Sequence, residues 1–156
     1  MEPMTFKYEE MLPNFRIKGD ATLFEGPVPV PPFDTVDPTN GKGIVRVGQD
    51  WWVLVRWTST GWLNHAICGD WYLRVLFEQQ GKGEFELMKE PVKVPFKHTD
   101  PSNYVKDIPF PATSTSVPPG LYKVTVALTA KTEDGIPMPI AAFAEGPVVQ
   151  FYEVGP

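Results

Sequence analysis

The chain has 156 residues, among them 18 prolines, 13 glycines and five tryptophans, with a formal net charge of -5. That length supports one domain with a full core, and proline and glycine this dense speak against a helical protein. Acidic residues scattered singly, with no basic stripe, argue against nucleic acid or an anionic membrane surface as a partner.

The start, Met1-Glu2-Pro3-Met4-Thr5-Phe6-Lys7, lacks the charged and apolar pattern of a secretory signal, and no stretch approaches the roughly 18 apolar residues of a membrane span. Cys68 is the single cysteine, so no internal disulfide forms, and a small buried thiol is the expected state. These features together predict a cytoplasmic protein.

Residues 1–43 read as an extended, proline-rich N-terminal arm ahead of a domain at 44–156. The arm carries Gly26-Pro27-Val28-Pro29-Val30-Pro31-Pro32 and Asp37-Pro38-Thr39-Asn40-Gly41. Fixed proline φ favours polyproline-like geometry, and missing donors suit such a segment to a sheet edge.

Short strands follow. The spacing predicts one at 44–47 and one at 51–58, with Trp51, Val53, Val55 and Trp57 on the core face and Trp52, Leu54 and Arg56 on the other. After a loop at 59–69, residues 70–78 set Trp71, Leu73, Val75 and Phe77 against Tyr72, Arg74, Leu76 and Glu78. The glycines of Gln79-Gln80-Gly81-Lys82-Gly83 suit a hairpin into 84–88. Extended pieces at 92–96 and 104–110 are broken by prolines. The strongest strand, 121–128, presents Tyr122, Val124, Val126 and Leu128, and a turn at Glu133-Asp134-Gly135 leads to strands at 136–143 and 148–154. Seven or eight short strands and no helix predict an all-β sandwich.

The run Pro119-Gly120-Leu121-Tyr122-Lys123-Val124-Thr125-Val126 resembles the penultimate strand of immunoglobulin-like sandwiches, and Trp71 resembles their core tryptophan. The resemblance covers residues 44–154 as architecture. It implies an immunoglobulin-like β-sandwich of the generic bacterial immunoglobulin-like or fibronectin-like kind, with Tyr122 as a corner tyrosine whose hydroxyl bonds back to nearby backbone. Val124 stands where antibody-type domains carry a second cysteine, so the antibody-type pattern is not the one followed.

Candidate chemistry is sparse. His65, Cys68 and Asp70 are ligand types within six residues, yet they lack the paired spacing of a closed zinc site, and a Cys68–His65 nucleophile pair lacks a readable third group. Glu84 and Glu86 share a strand face, as solvated carboxylates often do. No phosphate loop or nucleophile elbow occurs. The reading is therefore a protein without catalysis or cofactor.

The aromatic signal is stronger. Trp62 lies in a loop and Trp52 opposite the Val53 face, so both rings are either exposed or covered from outside the sandwich. Three covers fit: the proline-rich arm, a protein partner, or a stacked sugar. The sequence points to a non-catalytic protein-interaction or assembly module, self-association and a homodimer included, with a surface at Trp62, Leu63, Trp52, Tyr72 and Asn64. The alternative is a carbohydrate-binding domain with a tryptophan platform, in which Asn64 and Asp70 bond hydroxyls.

Overall fold

The computed structural model describes residues 3–10, 15–34, 36–85, 87–112 and 117–154, and all statements below concern those residues. Ten strands form in chain order: β1 (Met4–Glu10), β2 (Arg16–Glu25), β3 (Ile44–Arg46), β4 (Trp51–Thr60), β5 (Asp70–Gln79), β6 (Gly83–Phe85), β7 (Val92–Pro95), β8 (Ser102–Phe110), β9 (Gly120–Lys131) and β10 (Pro137–Tyr152). Two 3-10 turns, Pro38–Asn40 and Trp62–His65, are the helical elements. The all-β class is as the sequence predicts, with more strands than the seven or eight expected.

One sheet runs β6-β5-β9-β10-β1-β2-β4-β8, with β3 beside the far half of β10 and β7 beside the near half of β5. All pairings are antiparallel except that of β3 with β10. The sheet folds over at β1, whose Met4 and Thr5 pair with β2 while Phe6 onward pairs with β10. The fold brings β4 against β5, where Trp51 meets Phe77 edge-on at 5.2 Å and Trp57 meets Trp71 at 6.1 Å. Sandwich packing of this kind fills the space between layers with the inward alternate residues.

Those residues are the predicted ones. Trp51, Val53, Val55 and Trp57 are buried against Trp71, Leu73, Val75 and Phe77, with Tyr122, Val124, Val126 and Leu128 completing the wall. The Tyr122 hydroxyl donates to Pro118 O at 2.6 Å, the corner bond expected of it, and burial raises its pKa.

Three expectations need correction. The segment 1–43 is not an arm throughout: β1 and β2 are paired strands, with Phe15, Ile17, Ala21 and Leu23 in the core, and the extended part spans only the residues between β2 and β3. The last two strands are one, β10, whose pairing with β9 slips between Glu145 and Val148. The extra residue there moves the buried set from Ile140, Ala142 and Ala144 to Val149 and Phe151, so the period of two changes phase. The hairpin strand after Gly83 is described as far as Phe85 and does not include Leu87 or Met88, and the expected Glu86 lies outside the described residues.

Candidate functional site

The loop between β4 and β5 is built from its anchors. Gly61 takes φ 133°, a conformation that a Cβ disfavours, and turns the chain out of β4. Its N–H donates to Asp100 Oδ1 at 3.0 Å, tying this loop to the one before β8. Asn64 N donates to Gly61 O at 3.1 Å, and Ala66 N and Ile67 N both donate to Leu63 O at 3.0 Å, closing the 3-10 turn. Asn64 turns inward, 4% exposed, and its Nδ2 donates to Ser59 O at 2.8 Å. Leu63 and Ile67 pack on the main core. Trp62 is what remains: the residue is 62% exposed on a turn held from both sides.

The same end of the sandwich carries the β7–β8 loop and the β9–β10 turn, because Asp70 pairs with Lys131 and Ser59 with Ser102. That turn, closed by Thr132 N to Ile136 O at 2.9 Å, presents Ile136 at 61% exposure. His65 Nδ1 lies 3.1 Å from His98 O, Asp70 Oδ2 is 3.5 Å from Lys93 Nζ, and Lys131 Nζ sits 4.9 Å above the Tyr72 ring. Tyr72, half-buried, lies on the outer face of β5 beneath that lysine.

Trp52 belongs elsewhere. It is 3% exposed on the outer face of β4, stacked on Phe24 at 4.8 Å and capped by Phe33 of the proline-rich segment at 5.7 Å. Leu54, Val28 and Val36 complete this second cluster. Arg56 fastens the strap, its Nη2 donating to Phe33 O at 3.0 Å and Val36 O at 3.1 Å. Asp37 caps the turn that follows: Thr39 N and Oγ1 donate to its Oδ1 at 2.9 and 2.6 Å, and those bonds lower its pKa. Of the three covers foreseen for Trp52, the chain's own segment is the one present. The five residues expected as one surface thus divide: Trp62, Leu63 and Asn64 share one turn, only the first with its ring in solvent; Tyr72 lies on one outer face and Trp52 beneath a strap on the other.

Cys68 is exposed, not buried as expected, because it sits where the loop leaves the core before Gly69. No group of three His, Cys, Asp or Glu side chains among the described residues is disposed to hold a metal ion. No helix among them is long and apolar enough to cross a membrane. An open groove of about 550 Å³, lined by Pro31, Pro32, Phe33, Asp34, Arg56 and Val105, runs beside the strap; sequence reasoning missed it. The only signal was Arg56 following Trp52 and Leu54 on one face, a mixed pattern that marks a half-covered sheet.

Neither a protein-family model nor a curated protein matches this sequence.

Proposed function

We propose that the protein is a non-catalytic protein-interaction or assembly module of immunoglobulin-like architecture, and that its contact surface is the loop end bearing Trp62. The observation that carries the reading is a large aromatic residue 62% exposed on a turn whose every neighbour is anchored. Immobilising side chains and loops is a main cost of association, and here the turn is already fixed. Burial of the ring in a partner's pocket yields roughly 1.5–3 kcal/mol, and tryptophan is enriched among residues that dominate interfaces. Supporting the architecture are β4 and β8 side by side in one layer, β5, β9 and β10 in the other, buried Trp71 and the Tyr122 corner bond.

The sugar-platform alternative is weaker on this geometry. Asn64, meant to bond hydroxyls beside the ring, is buried and donates to Ser59 O, and Asp70 faces Lys93. The test compares wild type with Trp62→Ala in affinity capture from native lysate, read by mass spectrometry. A partner retained by the first and lost by the second is the expected result. Capture unaffected by the substitution, together with stabilisation of the wild type alone by a saccharide panel, overturns it in favour of the platform.

A further inference from the structure

Sheet edges are templates for pairing, and proteins blunt them by keeping edge strands short, covering them, or placing proline and charge along them. In this fold β3, β6 and β7 are edges of 3, 3 and 4 residues. Of the longer strands, β2 has β1 beside Asp20 and Ala21 and Lys42 N on Leu23 O, whereas β8 ends the strand order on its side and runs 9 residues with no strand beyond it.

The direction of its main-chain groups follows from one contact. Lys97 Nζ donates to Asn103 O at 2.6 Å, from outside the sheet, so that carbonyl points away from β4. Peptide direction alternates along a strand, so the N–H and C=O of Val105 and Asp107 share that open side. Pro109, which has no N–H, occupies the next such position, where a central strand would need a donor. Proline therefore guards one end and the Lys97 side chain the other, and among the described residues nothing bonds the outward groups between them, those of Val105 and Asp107. There Val105 stands 51% exposed, on the rim of the groove beside Pro31 and Phe33.

We propose that two copies of the chain associate edge to edge through β8, antiparallel about a two-fold axis at Val105, so that one layer of the sandwich continues across both subunits. The register follows from charge. With Val105 opposite its own copy, Asn103 lies opposite Asp107 on each side of the axis, an amide facing a carboxylate, and roughly six main-chain hydrogen bonds form, two of them at an Asn103 O that Lys97 Nζ also reaches. Moving the axis to residue 106 or 107 sets Lys106 or Asp107 against itself, like charges directly opposed and destabilising. An isologous contact of this kind closes after two subunits, so it yields a dimer, not a fibre. This contact is separate from the Trp62 loop end, and neither depends on the other.

The test is analytical ultracentrifugation of the full chain from micromolar to submillimolar concentration, beside Val105→Lys. The exposed site tolerates lysine in the monomer, which circular dichroism and thermal unfolding verify, whereas two lysines meeting at the axis do not pair. A reversible dimer in the wild type and at least tenfold weaker association in the variant are expected. Register is read separately with a short bis-maleimide in a Cys68→Ser background: Val105→Cys cross-links and Ile136→Cys does not. A wild type monomeric throughout overturns the proposal, as does a dimer that Val105→Lys leaves unchanged or that cross-links at residue 136 and not 105.

Discussion

The clearest perturbation of this molecule is Phe33→Ala. Phe33 is 8% exposed and caps Trp52, which is itself stacked on Phe24. Complete burial of a phenylalanine is worth roughly 1.5–3 kcal/mol, and truncation also leaves the Trp52 and Leu54 surface partly uncovered. The strap is superficial and collapses or lifts more readily than a core layer, which keeps the total near 2–4 kcal/mol, below the upper range for core phenylalanines. At about 2–4 °C per kcal/mol for a chain of this size, the midpoint of thermal unfolding falls by roughly 5–15 °C. Fluorescence gives the second readout. In a Trp62→Phe background the other tryptophans are all buried, so Phe33→Ala shifts emission to the red and admits acrylamide to one ring. A double-mutant cycle with Arg56→Met then gives positive coupling, since Arg56 holds the carbonyls of Phe33 itself and of Val36. Unshifted emission with stability changed by under about 0.5 kcal/mol refutes the claim that the strap is Trp52's cover.

Two further outcomes are expected. Tyr122→Phe removes the 2.6 Å bond to Pro118 O while leaving the ring in place, costing about 1–2 kcal/mol in urea unfolding; a loss within error denies the corner bond an energetic role. Burial raises the Asp20 pKa against the opposing influence of Arg56, which lies directly across the strand pair. A carboxyl whose folded pKa exceeds its unfolded value holds its proton more tightly when folded. It therefore weakens the fold as pH rises through the window from the unfolded to the folded pKa, and the whole penalty applies above it. Asp20→Asn is accordingly neutral to mildly stabilising at neutral pH, by less than about 1 kcal/mol because the site is half-exposed, and the gain vanishes below the ordinary carboxylate range. A gain that persists in acid runs against this sign.

Much of the core was legible because a half-buried strand repeats every two residues. Trp51 to Trp57, Trp71 to Phe77 and Tyr122 to Leu128 show that alternation and are buried as it requires. The second strand carries it too, from Phe15 just before it through Ile17, Ala21 and Leu23, but Gly19 interrupts the series and prolines flank it at Pro13 and Pro27. Gly19 is there for a reason only the paired strands reveal: a Cβ at that position would collide with Arg56 O and sit 2.7 Å from Trp57 Cα. In β10 the period survives locally and changes phase at the irregularity near Gly146, so one long strand reads as two.

The candidate site was half legible. A tryptophan flanked by glycine between two strands marks an exposed loop ring, and Trp62 is one. That Asn64 folds inward to Ser59 and that Tyr72 lies under Lys131 depend on neighbours distant in sequence or on the course of the turn, which no local pattern encodes.

By itself, then, the sequence determined the all-β class and which alternate residues face inward, because hydrophobic periodicity and proline and glycine punctuation act over a few residues. Only the tertiary structure decided that Trp52 is covered and which sheet edge stays open. Those depend on long-range pairings: the strap crossing from Gly26 to Arg56 hides Trp52, and the strand order leaves β8 last.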